Sequence, residues 1–222
     1  MLRHLKTCKK RFLSEKNNKR KNQLFFQIVV TAKNEKYHWL ILEVAANTTL
    51  EELDQFIRDI WLECCSHLSM FICHGVHYDS HIDVDDFFEM ELEDMIVKLE
   101  DIVDVGDTMQ YEYDFGSTTH LAFKIQDAYI KHANANKITI QSRNNPIKFL
   151  CSHCHTNEAT WINPQAYDMD NLFWCEKCLE EDEDSFLEFN FLLPVCNSPR
   201  MGECAYEGSS IFPDQFEPDE KD

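Results

Sequence analysis

The chain contains 222 residues, 44% of them hydrophobic and 12% aromatic, and it carries a formal net charge of −19. This apolar content is sufficient for a folded core, which excludes a wholly disordered protein. The five glycines form neither a dinucleotide-binding pattern nor a P-loop, which argues against a glycine-rich nucleotide-binding architecture. No apolar run is long enough to span a bilayer, and no apolar segment follows the basic first residues. The composition therefore favours a cytoplasmic protein without a membrane partner.

Charge is distributed unevenly along the chain. Residues 1–21 contain nine lysines and arginines and one acidic residue, Glu15, whereas the remainder is strongly acidic. Because an acidic body repels phosphate backbones, we expect nucleic-acid binding only through the basic arm at 1–22. The alternative is that this arm is a solvated tail or folds back on the acidic body.

The first part of the chain predicts a hairpin followed by a helix. Residues 24–32 and 39–44 are rich in β-branched and aromatic types and predict two strands, joined by a polar turn at 33–36. Thr48 and Glu51 have the spacing of a capping box, which predicts a helix with Thr48 as its N-cap. Apolar residues at helical spacing give this helix one core-facing side: Leu50, Leu53, Phe56, Ile57, Ile60 and Trp61.

The middle of the chain predicts further strands. Residues 67–78 have strand character, with an interruption expected at Gly75, and 109–113 and 121–125 predict two more strands. No repeating strand–helix–strand pattern is present, so we expect an α+β fold with a mainly antiparallel sheet and a capping helix. A polar segment after residue 130 marks the expected end of this domain, which spans 23–130.

Two Cys-x-x-Cys pairs follow: Cys151 with Cys154, and Cys175 with Cys178. The two-residue spacing directs both sulfurs of a pair at one ion, and two pairs close a tetrahedral shell of four thiolates. Such a shell has no position open for water or substrate. We therefore predict a small zinc ribbon at 143–185 that holds one structural zinc ion.

The remaining cysteines lack this spacing. Cys196 and Cys204 are compatible with a second metal half-site or with a contact to the ribbon, but isolated buried thiols are the commoner outcome for such cysteines. They belong to a C-terminal segment at 186–222, whose acidic end we expect to be disordered. Cys64 and Cys65 are adjacent at the expected end of the helix, where we predict partly buried thiols without a redox role.

Several strings of residues carry a resemblance to a known family. The most specific is Tyr113-Asp114-Phe115-Gly116. The others are residues 48–53, 66–68 with Phe71, 111–119, 143–146 and 197–202. Together they resemble the plasmid pRiA open-reading-frame-three-like family, which includes passenger proteins of insertion elements. The resemblance implies a compact α+β domain of unestablished molecular activity, and its last two strings are similar to zinc-containing members.

The start of the chain is also similar to part of such relatives. Residues from Arg3 to Cys8 resemble the second half of a C-x-x-C…H-x-x-x-C zinc finger. The resemblance makes His4 and Cys8 a partial metal half-site, because the first two cysteines of the finger are missing. Two ligands alone cannot complete a tetrahedral zinc site. We interpret residues 1–22 as the remnant of an N-terminal finger, left by a truncated gene or a misplaced start codon.

Two further groups have both a structural and a functional interpretation. We expect Asp114 to cap backbone amides and Gly116 to take a dihedral forbidden to other residues; the alternative is an acid or metal ligand at Asp114. A set of histidines and aspartates, most of them in 67–86, predicts either a solvated acidic loop or a hydrolase-like site. Its members are His67, His74, His77, His81, His120, Asp79, Asp83 and Asp85.

These observations favour a zinc-binding, non-enzymatic binding or adaptor protein of mobile-element background, with an unidentified protein partner. Two alternatives remain open. One is a nucleic-acid-binding protein that acts through the basic arm, and the other is a hydrolase-like enzyme that uses 67–86.

Overall fold

The computed structural model describes residues 1–7, 21–80, 92–133, 135–166, 171–181 and 191–214. The chain forms two compact units. The first comprises Met1–Phe56 and Leu68–Asn144, and the second comprises Ile57–His67 and Asn145–Asp222. A short helix, α1 (Leu2–Thr7), lies in the first unit. No helix within the described ranges is long and apolar enough to cross a membrane.

An eight-stranded sheet forms the first unit. Its strands are β1 (Asn22–Ala32), β2 (Trp39–Ala45), β3 (Ser69–Cys73), β4 (Val76–Asp79), β5 (Leu92–Asp94), β6 (Thr108–Tyr113), β7 (Thr119–His132) and β8 (Ile138–Arg143). Their order across the sheet is β5-β4-β3-β6-β7-β1-β2-β8. Every pairing is antiparallel except that of β4 with β5. The predicted α+β fold with a mainly antiparallel sheet is confirmed.

The sheet continues past residue 130. β7 has 14 residues and pairs with β1 from Leu121 to His132, with one irregularity between Gln27 and Ile28. β8 then pairs with the outer side of β2. The polar composition after residue 130 does not prevent strand formation here, because much of this end of β7 is exposed or half-buried. The first unit therefore extends to Asn144.

Helix α2 (Leu50–Ile57) begins one residue later than the sequence pattern predicted. The side-chain hydroxyl of Thr49 accepts a hydrogen bond from the Glu52 amide at 3.2 Å, and the Glu52 carboxylate accepts one from the Thr49 amide at 3.0 Å. The capping box is therefore Thr49 with Glu52, and the assignment to Thr48 with Glu51 is wrong. Thr48 is fully buried. Threonines at both positions, each three residues before a glutamate, made the two assignments equivalent in sequence.

The predicted strand at 67–78 is a hairpin of β3 and β4. The two strands pair with Cys73 opposite Val76, so His74 and Gly75 form a two-residue turn. Both turn residues have positive φ, 51° and 85°, as a type I′ turn requires. A further short helix, α3 (Leu99–Ile102), precedes a turn at Gly106 with φ 109°.

Aromatic rings on neighbouring strands fill part of the core of the first unit. Phe71, Tyr111 and Phe123, on β3, β6 and β7, have ring centroids 4.6 to 5.9 Å apart. The Tyr111 hydroxyl also donates a hydrogen bond to the buried Asp54 carboxylate at 2.6 Å, and Ser69 donates a second at 2.7 Å. Because both donors are buried with it, the Asp54 carboxylate is compensated inside the core.

The second unit contains a three-stranded sheet and two short helical segments. The strands β9 (Trp161–Ile162), β10 (Phe173–Trp174) and β11 (Leu193–Pro194) lie in the order β10-β9-β11. Helix α4 (Glu176–Glu181) follows β10 directly. A π-helical turn, Arg58–Leu62, continues from α2 and ends at Glu63.

Candidate metal centre

Two chain segments of the second unit present the four predicted ligands. Cys151 and Cys154 belong to a turn before β9, which is closed by hydrogen bonds from the His155 amide to the Cys151 carbonyl and from the Cys151 amide to the Asn157 carbonyl, both 2.9 Å. Cys175 follows β10, and Cys178 lies in the first turn of α4. The β9–β10 pairing, with Trp161 opposite Trp174, brings the two segments together.

The first turn reverses direction at His155, a residue with φ 54°. Glycine is the usual residue at such a position because side chains disfavour the left-handed region. His155 adopts it nonetheless. The second pair needs no such residue, because the Leu179 amide donates to the Cys175 carbonyl at 3.2 Å and the chain continues as α4. The sequence lacks glycine after both pairs, and the fold accommodates this in two different ways.

The four sulfur atoms converge on one point. All lie within 4.8 Å of one another, and Cys154 Sγ is 3.9 Å from Cys175 Sγ. With metal–sulfur bonds of about 2.3 Å, neighbouring sulfurs of a tetrahedral site are about 3.8 Å apart. All four cysteines are free thiols, and a disulfide would need about 2.05 Å. The separation therefore fits one metal ion between the sulfurs.

Hydrogen bonds favour the thiolate form of two of these cysteines. The Thr156 hydroxyl and the amides of Asn157 and Thr156 lower the pKa of Cys154 to about 5. Burial would raise the pKa of Cys175, but hydrogen bonds from the Cys178 amide and the Asn157 side chain outweigh it and lower the pKa. Asn157 Nδ2 donates to Cys175 Sγ at 3.5 Å. Burial raises the pKa of Cys178. Without a cation the site thus favours partial ionisation, and a divalent ion would stabilise all four thiolates.

Aromatic residues pack around the sulfurs. Trp174 is buried with Cys151, Cys175, Cys178 and Leu179, and Trp161 packs against this cluster. The ring of His153 stacks on Trp174 with centroids 5.6 Å apart. His153 therefore contributes to the wall around the sulfurs, and it is not among the four residues that converge.

The Tyr113–Gly116 turn has a different geometry from the predicted one. Asp114 Oδ1 accepts a hydrogen bond from the Gly116 amide at 3.0 Å, so Asp114 does cap the turn. Asp114 has φ 62°, whereas the φ of Gly116 is not positive. The prediction that Gly116 takes the forbidden dihedral is therefore wrong. Aspartate tolerates this conformation because its short side chain bonds locally, and Phe115 between them is exposed.

The histidines and aspartates of the predicted hydrolase-like segment have separate neighbours. His74 Nε2 lies 3.0 Å from Asp107, His120 pairs with Glu112 at 3.3 Å, and His77 Nδ1 lies 3.3 Å from the Met70 sulfur. Asp79 lies at the end of β4. His81, Asp83 and Asp85 are outside the described residues. Among those that the structure describes, these side chains form no common metal-binding group.

The cysteines outside the two Cys-x-x-Cys pairs agree with expectation at Cys196, which is buried, and at Cys64, which is partly buried, but not at Cys65 and Cys204. Cys196 is buried, and burial together with the charge of Asp214 raises its pKa to about 12. Cys204 is exposed and lies with Cys64, Cys65 and His67 in a second group of candidate metal ligands. The expectation that Cys204 is an isolated buried thiol, like that of a partly buried Cys65, is wrong. Sequence spacing missed this group because Cys65 and Cys204 are 139 residues apart.

The predicted N-terminal half-site is only partly within the described residues. His4 is exposed on α1, and Cys8 lies outside them. The metal half-site of His4 and Cys8 therefore stays a prediction.

The chain has recognisable relatives over its first unit. Residues 25–147, more than half of the chain, match the family model described as plasmid pRiA4b ORF-3-like protein. No curated protein matches the chain. A solved structure, the protein of unknown function MM3350 from Methanosarcina mazei Go1, is similar with a TM-score of 0.46 and 16% sequence identity, covering 55% of this chain and 69% of that chain. The extent of the family match shows that this chain belongs to the plasmid pRiA4b ORF-3-like protein family.

Proposed function

We propose that Cys151, Cys154, Cys175 and Cys178 bind one structural Zn²⁺, and that the protein is a non-enzymatic binding or adaptor protein of mobile-element background. The observation that carries the metal proposal is the convergence of four sulfurs within 4.8 Å. A tetrahedral site with four thiolates has no open position for water or substrate. The ion therefore serves folding, and its chemistry does not supply a reaction.

The donor set selects the class of metal. Four thiolates in tetrahedral arrangement suit Zn²⁺ or iron in sulfur coordination and disfavour Mg²⁺ and Ca²⁺, which prefer oxygen ligands. The 3.9 Å separation of Cys154 Sγ and Cys175 Sγ matches a single ion. A colourless protein that contains zinc agrees with the proposal, whereas a coloured protein that contains iron contradicts it.

A segment of this size benefits from an ion because its own core is small. The cluster around the sulfurs has five buried residues, and three of them are the ligands Cys151, Cys175 and Cys178. Removing the ion leaves those thiols next to Trp174 and Leu179 with nothing to neutralise a thiolate. Structural zinc supplies an apparent folding free energy on the order of 10 kcal/mol or more in such modules.

Metal analysis of the full chain tests the proposal. We expect Cys175→Ser to contain one zinc ion fewer than the wild-type protein. Cys196→Ser is the matched control, because Cys196 is a buried thiol of the same unit outside both ligand groups and its substitution should leave the zinc content unchanged. Equal zinc in Cys175→Ser and wild type would contradict the metal assignment.

The non-enzymatic part has its own test. The purified protein should show no turnover on ester, phosphoester and amide substrates. Hydrolysis that disappears in His74→Ala or His77→Ala would contradict the proposal and support the hydrolase-like alternative.

A further inference from the structure

A second set of metal-binding side chains lies in the second unit, apart from the ribbon cysteines. The sulfurs of Cys64, Cys65 and Cys204 and one nitrogen of His67 are all within 4.8 Å of one another. Cys65 Sγ is 3.6 Å from Cys64 Sγ, 3.2 Å from Cys204 Sγ and 3.0 Å from His67 Nε2. Cys204 Sγ is 3.5 Å from the same His67 nitrogen. One imidazole nitrogen thus faces two of the three thiols.

The backbone takes unusual conformations at this group. Ser66, between Cys65 and His67, has φ 60°, and Cys204 itself has φ 54°. A serine or cysteine in the left-handed region is uncommon and costs conformational free energy. The Ser66 turn is fixed by its own amide, which donates to the Glu63 carboxylate. These two conformations turn the side chains of both segments to the same place.

Hydrogen bonds outside the group also join the two segments. The buried Ser198 hydroxyl donates to the Trp61 carbonyl at 2.6 Å, and Ser209 donates to the Asp59 carbonyl. The buried Arg200 places Nη2 4.0 Å from Cys64 Sγ, which is a further contact between the two segments. The string at 197–202, which carried part of the family resemblance, thus holds Cys204 beside the residues that follow the π-helical turn.

We propose that Cys64, Cys65, His67 and Cys204 form a second structural metal site, which binds a thiophilic divalent ion, Zn²⁺, through three thiolates and His67 Nε2. Three cysteines and one histidine are an established ligand set for structural zinc. The site is independent of the proposed ribbon function, because it shares no ligand with the ribbon.

The distances fit such a site with a small adjustment. With metal–sulfur bonds of about 2.3 Å and metal–nitrogen bonds of about 2.05 Å, tetrahedral neighbours lie about 3.8 Å apart for two sulfurs and about 3.6 Å for sulfur and nitrogen. The Cys64–Cys65 and Cys204–His67 separations, 3.6 and 3.5 Å, are close to these values. The two contacts of Cys65 with Cys204 and His67 are shorter, so a bound ion would lengthen each by about 0.6 Å.

The ion would cross-link two segments of the chain within the second unit. That unit consists of two separate chain segments, Ile57–His67 and Asn145–Asp222, and the proposed ligands come from both. Cys65 and Cys204 are 139 residues apart, and linking positions so distant removes much of the freedom of the unfolded chain. The ribbon ion, in contrast, would join four cysteines that all lie within Asn145–Asp222.

Zinc stoichiometry of the full-length protein tests the proposal. We expect two zinc ions per wild-type chain, one in Cys204→Ser and one in Cys175→Ser. Cys196→Ser, the control, should retain two. Failure of the ribbon proposal and failure of the second-site proposal are distinguishable, because each proposed site is removed by its own variant. A wild-type protein with one zinc that Cys175→Ser loses and Cys204→Ser keeps would overturn the second site and leave the ribbon intact.

The role of His67 as a ligand can be tested separately from any effect of a substitution on folding. His67→Ala should lose the second ion, whereas His67→Cys supplies a fourth thiolate and should retain it. Cys65 and Cys204 are exposed, whereas three of the ribbon cysteines are buried. A mild chelator should therefore release one ion fast and one slowly, and the fast phase should be absent from Cys204→Ser.

Two further outcomes would overturn the proposal. One is an intact mass that shows a disulfide between Cys65 and Cys204 in protein purified under reducing conditions. The other is an identical pair of release phases in wild type and Cys204→Ser.

Discussion

Loss of the ribbon ion should unfold part of the second unit while the eight-stranded sheet stays folded. The perturbation is Cys175→Ser, which removes one of four thiolates and the acceptor of the Asn157 hydrogen bond. The proposed ion would link Cys154 and Cys175, which are 21 residues apart. Closing a loop of this length restricts the unfolded chain by about 3 kcal/mol, and the apparent binding free energy of structural zinc is about 10 kcal/mol or more.

The apolar core of this segment does not offset the cost of ordering it. Fully burying Trp174 and Leu179, the two members of the ribbon cluster that are not proposed ligands, contributes about 2 to 3 kcal/mol each, and Ile162 and Phe173 of a neighbouring cluster contribute similar amounts. This stabilisation is opposed by about 1 to 2 kcal/mol of conformational entropy for every residue that is ordered. We therefore expect residues 150–179 to be folded only with the ion.

Hydrogen exchange measured by mass spectrometry on the full chain provides the assay. In Cys175→Ser, amides of residues 150–179 should exchange as fast as in an unfolded chain, and amides of β1 and β7 should keep their wild-type protection. Cys196→Ser controls for the loss of a buried thiol in the same unit. If Cys175→Ser retains wild-type protection at 150–179 in the presence of a chelator, the zinc-dependent account of this segment is refuted.

Three smaller predictions test local features of both units. Gly202→Ala should destabilise the protein by about 1 to 2 kcal/mol or more, because Gly202 has φ 79° and a Cβ there would lie 2.9 Å from an Ile162 side-chain carbon. Gly116→Ala should lower the free energy of unfolding by less, and chemical denaturation compares the two variants. Thr49→Ala should cost about 1 kcal/mol in the same assay, since it removes the helix cap, and an unchanged midpoint would contradict the assigned capping box. Burial raises the pKa of Cys196 to about 12, so its protonated thiol stabilises the fold fully below about pH 9, and this contribution falls as the pH rises towards 12. Native-state alkylation of Cys196 at pH 9 should then be about 500-fold slower than in the unfolded chain, and equal rates would refute the assigned burial.

Much of the sheet was predictable because its signals are local. The runs of β-branched and aromatic residues in β1 and β2 predict strands from local sequence alone. The hairpin of β3 and β4 was not recognised, because His74 adopts a positive φ that histidine rarely takes. The length of β7 was also missed, since residues 126–132 form a strand by pairing with β1 and carry little apolar pattern of their own.

The two groups of cysteines also differ in whether their sequence signal is local. The four proposed ribbon ligands are paired within four residues, so spacing alone is enough to predict them. The second group combines Cys64, Cys65 and His67 with Cys204, which the fold brings to them from 139 residues away. The signal that the sequence does contain is Cys-Cys-x-His, a short run of two thiols and an imidazole. Its missing ligand follows the string at 197–202.

Zinc K-edge X-ray absorption of the Cys204→Ser protein examines the ribbon most directly, because that variant removes the second candidate site and leaves Cys151, Cys154, Cys175 and Cys178 intact. The structure predicts one zinc ion surrounded by four sulfur atoms at about 2.3 Å. A shell that contains nitrogen or oxygen, or a purified protein that retains no zinc, would contradict the metal-held fold of this segment.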